Sequence, residues 1–145
     1  MRSMFVVGGY SAWVLAAFLG AGSIAGAETQ TYKAALSAQK EVPVNSSKGT
    51  GNAEVTYDTN TKMLTWTITF DGLTGPATVA HFHGPAEEGK NAGVALLIGN
   101  TPTSPAKGTA TLNDMQAADL MGGRWYVNVH TMENRGGEIR GQLMK

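Results

Sequence analysis

The sequence predicts an all-β fold: an antiparallel Greek-key sandwich or barrel of about eight short strands with one short helix. Three observations carry this. Apolar and polar residues alternate along several short runs, and Gly, Pro, Asn and Asp punctuate the chain between them. Only one stretch combines a capping residue with a following run of good helix formers. Many short strands with frequent turn signals are the signature of such folds.

The elements follow in order. Residues 31–38 form a first expected strand, and 39–51 a loop with Pro43 and the polar run from Asn45 to Gly49. Residues 53–57 alternate, and 58–62 make a hairpin connection. Residues 63–70 place Leu64, Trp66, Ile68 and Phe70 on one face and Thr65, Thr67 and Thr69 on the other, the clearest period-2 pattern in the chain. Asp71-Gly72 and Gly75-Pro76 precede a strand at 78–83, which Gly84-Pro85 ends. After a polar loop at 87–93, the apolar run 94–98 reads as a strand buried on both faces. Residues 101–107 read as a loop with two prolines, and 109–112 as a short strand. Asn113 can cap a helix over 114–121, closed by Gly122-Gly123. Strands at 125–130 and 138–143 finish the domain.

The chain begins differently. Arg2 is followed by an apolar stretch, and Ala25-Gly26-Ala27 is an A-x-A-like cleavage signal, so residues 1–27 read as a signal peptide and 28–145 as one exported domain, periplasmic or extracellular. The apolar run is short of the roughly 20 residues that cross a bilayer, so no stable membrane insertion is expected after cleavage. Beyond residue 27 ten basic residues face eleven acidic ones, and no basic stripe suits nucleic acid. Cysteine is absent, which excludes disulfides, thiolate metal sites and cysteine nucleophiles.

The three histidines of the chain fall in two expected strands: His81 and His83 at i and i+2, and His130 in the other. Residues at i and i+2 project from one face, so His81 and His83 stand side by side while Phe82 points to the core. If the strand of His130 lies beside them, three imidazoles converge. Such a set binds copper or zinc. Met132 would share that face if the strand continued, and a thioether would favour copper. The alternative is three polar side chains on a solvated face. Glu138, Arg140 and Gln142 alternate on one face, and Glu138 and Arg140 read as partners steadying the histidine strand or as members of cross-strand ion pairs.

His81 to Ala86, Trp125 to Thr131 and Gly137 to Gln142, with Glu41-Val42-Pro43 and the Gly49-Thr50-Gly51 turn, resemble the signature blocks of the CHRD domain family over about residues 31–143. The resemblance implies one β-rich domain of this size, a module first described in chordin and also found as single exported bacterial domains. It implies no reaction. In chordin-like proteins the domain belongs to an extracellular binder of signalling proteins, but this chain lacks the accompanying cysteine-rich modules.

Three functions follow as expectations. The first is a non-enzymatic exported binding module holding copper or zinc through His81, His83 and His130. The second is a metal-free domain that binds an extracytoplasmic protein or polymer, with Tyr126 and the 87–93 loop as contacts. The third, least favoured, is a metalloenzyme similar to Cu,Zn superoxide dismutase. That enzyme needs more histidines than this chain owns, a bridging ligand and a disulfide. No G-x-S-x-G elbow is present, and adjacent Glu87 and Glu88 point apart, so no catalytic residues are assigned.

Overall fold

A computed structural model describes Gly26 and residues 28–145. The expected leader, residues 1–27, lies outside the described residues apart from Gly26. Among the described residues no helix is long and apolar enough to cross a membrane.

Eight antiparallel strands are present: β1 (Thr29–Ser37), β2 (Thr50–Asp58), β3 (Met63–Asp71), β4 (Ala77–His83), β5 (Val94–Asn100), β6 (Ala106–Thr111), β7 (Tyr126–Thr131) and β8 (Ile139–Gln142). A 3-10 turn at Ala38–Lys40 follows β1, and the helix α1 spans Asp114–Met121. One sheet runs β5-β4-β7-β8-β1-β2-β3-β6 and curls into a nearly closed barrel whose two end strands approach each other. The chain passes β1-β2-β3 as a meander and then crosses to the β4-β5 hairpin. It returns through β6 and α1 to the β7-β8 hairpin. This crossing inserts β7 between β4 and β8 and makes the functional reading possible.

Alternation fills the barrel. Tyr32, Ala34 and Leu36 of β1, Val55 and Tyr57 of β2, Leu64, Trp66 and Ile68 of β3, Phe82 of β4, and Val127 and Val129 of β7 are buried together. Phe82 meets Trp66 edge-on at 5.3 Å and lies 5.7 Å from Trp125. Aromatic pairs in this geometry contribute about 0.5–1.5 kcal/mol beyond their buried area. Trp66 gains its place because Gly108 stands opposite it on β6, where any Cβ would strike the indole.

Helix α1 matches its expected span. The Asn113 side chain accepts from the Gln116 N–H and the Gln116 side chain accepts from the Asn113 N–H, a complete capping box. Two sequence readings need correction. The run at 94–98 is an edge strand, β5, with Val94 and Leu97 exposed; a continuous apolar run does not distinguish an edge from a strand buried on both faces. β6 begins at Ala106, earlier than expected, because the strand takes up directly after Pro105.

The strands with the strongest two-sided burial are β7 and β8, every residue of which is buried. Their inner side is aliphatic. Their outer side carries Tyr126, Asn128, His130, Arg140 and Gln142, all under 10 % exposed, beneath loops around Glu41–Ser47, 86–92 and 132–137. A polar layer outside the barrel is thereby largely covered by loops.

Candidate metal centre

β4 and β7 pair so that His81 stands opposite Asn128 and His83 opposite Tyr126, with His130, opposite Val79, two pairs further along. The pairing of β4 with β5 is irregular immediately before His81 and again before His83. Bulges of this kind re-aim side chains. The three imidazoles converge: ring centroids lie 5.2 Å apart for His81–His130, 5.4 Å for His81–His83 and 6.1 Å for His83–His130. One ring nitrogen from each lies within 4.8 Å of the other two. Points that close share a centre at most about 2.8 Å away, so each ring need move inward by under about 1 Å to reach a Zn–N bond of about 2.0–2.1 Å.

The hydrogen bonds set which nitrogens are free. His130 Nδ1 donates to the Arg135 carbonyl at 2.8 Å, leaving Nε2 as a lone pair. His83 Nδ1 donates to the Ala92 carbonyl at 3.0 Å, and its buried Nε2 has no partner. His81 Nδ1 lies 3.3 Å from His130 Nε2. With no ion between them, His81 must carry its proton on Nδ1 and donate it. A metal takes both lone pairs once that proton moves to Nε2. The 3.3 Å separation is also about the edge of a tetrahedron with Zn–N bonds of about 2.05 Å. Backbone carbonyls holding the far nitrogen of two imidazoles is the arrangement by which metal-ligating histidines are oriented.

The surroundings of His81 and His83 favour their neutral forms. Burial, then the neighbouring His130 and His83, push the His81 pKa below its ordinary value. Burial also lowers that of His83, against the pull of the Ala92 carbonyl. Tyr126 stacks flat on His83 at 4.9 Å, and the Arg140 guanidinium lies 3.5 Å above the other face of Tyr126. Arg140 also donates to Asn91 Oδ1 and the Lys90 carbonyl, tying the 86–92 loop over the site.

Two carboxylates flank the layer. Glu41 accepts from Asn128 Nδ2 at 2.6 Å, and burial pushes its pKa up to about 7 against the attraction of Arg140 and the Val42 N–H. Glu138 accepts from Ser47, Thr74, Thr131 and Asn134. Burial works to raise its pKa, but the hydrogen bonds of Ser47, Thr131 and Thr74 outweigh it and bring the value to about 2.

All three sequence-selected histidines therefore meet. Met132 does not share their strand: β7 ends at Thr131, and Met132 lies in the following turn at 65 % exposure. Tyr126 is buried beneath the 86–92 loop, so it offers no docking surface. Neither Glu138 nor Arg140 forms a cross-strand ion pair; hydroxyls and amides hold the first, and carbonyl oxygens and an aromatic ring hold the second. The residues that sequence reasoning passed over are Asn128, Asn91 and Glu41. Asn128 had a signal, its i, i+2 spacing from His130. Glu41 carried one in the Glu41-Val42-Pro43 block, whereas Asn91 had none, since loops carry no periodicity.

A family model described as CHRD domain matches residues 32–143. The chain belongs to the CHRD domain family. Comparison with curated proteins and with solved structures finds no match.

Proposed function

We propose that this CHRD-family chain is an exported, non-enzymatic binding module that holds one copper or zinc ion through His81, His83 and His130. The observation that supports this most is the orphaned Nε2 of His83, buried beside two imidazoles whose nitrogens lie within 4.8 Å. A buried lone pair without a partner is costly unless something fills it. An all-imidazole set suits zinc and Cu(II), and copper binds tighter at equal geometry. Export rests on the sequence of residues 1–27.

Calorimetric titration of Zn(II) or Cu(II) into chelator-treated protein tests the reading. One ion binds per chain, Cu(II) displaces Zn(II), and His83→Ala costs more than the roughly 10–100-fold that loss of an outer partner costs. An exposed histidine site holds its affinity above about pH 6.5 and loses it as protons compete below that value. Because the His81 and His83 pKa values are lowered, the fall starts at a lower pH than for an exposed histidine. Equal affinity of wild type and His83→Ala refutes the reading.

A further inference from the structure

Beside His83 lies a cavity of about 120 Å3, lined by Glu41, His83, Asn91, Ala92, Tyr126, Asn128 and Gly136. That is room for a few waters or one very small molecule. Its hydrogen-bonding character is one-sided. Asn128 Oδ1 and His83 Nε2 are buried without a partner, and Glu41 adds a carboxylate. The donors nearby each already hold a partner. Asn128 Nδ2 bonds Glu41, Asn91 Nδ2 bonds the Val42 carbonyl, and the Tyr126 hydroxyl bonds the Ala92 carbonyl. The Arg140 fork is taken by Asn91 Oδ1 and the Lys90 carbonyl. The two buried atoms left without a partner, Asn128 Oδ1 and His83 Nε2, both accept hydrogen bonds, and Glu41 accepts as well once it is ionised.

An occupant of this cavity must therefore donate. Once a metal takes the His83 lone pair, Asn128 Oδ1 and the Glu41 carboxylate are left to receive those protons. Three neutral imidazoles fill three positions of a tetrahedral ion, and a fourth ligand is required. Resting on the metal reading above, we propose that the fourth position opens into this cavity and exchanges small neutral ligands that donate hydrogen bonds, water foremost, with Asn128 and Glu41 selecting against anions. An anion there would set its lone pairs against the orphaned amide oxygen and, above about pH 7, against the ionised Glu41 carboxylate, and like charges in a buried site repel strongly.

The test uses the full-length exported chain loaded with Cu(II), with copper content measured in every sample. Water proton relaxation reports an exchangeable bound water, and azide titration followed by its charge-transfer absorption reports anion access. The wild type is expected to enhance water relaxation clearly and to bind azide weakly at pH 8. Glu41→Gln, nearly the same shape without the charge, is expected to bind azide at least tenfold more tightly, and Asn128→Ala is expected to change azide affinity in the same direction. A wild type with no inner water, or with azide affinity unmoved by Glu41→Gln and Asn128→Ala, overturns the open position while leaving three-histidine binding intact. A Glu41→Gln protein that loses copper also overturns it, since Glu41 would then hold the ion. A wild type that takes up no copper removes the metal reading and this proposal together.

Discussion

Glu41 and Glu138 are both buried, 4 % and 0 % exposed, yet their carboxyls are displaced in opposite directions. Burial dominates Glu41, which has one short side-chain donor, over the attraction of the Arg140 guanidinium, and its pKa stands at about 7 against an ordinary 4.5. Five donor groups surround Glu138, and its pKa stands at about 2. The linkage signs are therefore opposite. Glu138 stabilises the fold above pH 4.5 by about 3 kcal/mol, a contribution lost as pH falls from 4.5 towards 2. Glu41 costs nothing below pH 4.5, destabilises progressively as pH rises from 4.5 to about 7, and adds no further cost above that. In urea unfolding of metal-free protein, Glu138→Gln lowers stability by about 2–3 kcal/mol at pH 7, and the deficit shrinks below pH 4.5. Glu41→Gln does the reverse: it leaves stability at pH 4 unchanged and raises it at pH 8.

Among the elements, the turn between β7 and β8 controls the site most directly. Gly137 has φ +129°, and a Cβ there would come well inside 3.0 Å of Asn128 Nδ2 and Glu41 Oε1. The same turn supplies the Arg135 carbonyl that orients His130. Gly137→Ala therefore combines backbone strain with a clash and costs about 2 kcal/mol or more in urea unfolding. It also weakens metal binding, read by titration, because Arg135 shifts with the turn. The β7-β8 hairpin was legible from Asn134 to Gly137 and from the alternation on either side. The edge position of β5 was not, since the run from Val94 to Ile98 reads the same whether one or two strands flank it. The irregular pairing around His81 and His83 was equally invisible, because a bulge is a property of two strands.

At the scale of the whole molecule, a ligand that binds only the folded state stabilises it by mass action. Metal at 100 times its dissociation constant adds about 2.7 kcal/mol, which for a domain of this size raises Tm by roughly 10 °C. Differential scanning fluorimetry with and without Zn(II), reversed by a chelator, checks this; a shift that persists in His130→Ala would place the stabilising ion elsewhere.

The sequence by itself determined the fold class, the single helix and its cap, the family, and the pairing of His81 with His83, because each is written in local periodicity, capping chemistry or contiguous motifs. Only the tertiary structure decided that β7 lies between β4 and β8, which brings His130 to the other two across the sheet. It alone decided that loops cover this outer layer, making ordinary surface residue types into a buried polar network. Strand order and loop coverage arise from contacts between residues far apart in the chain, which no local pattern records.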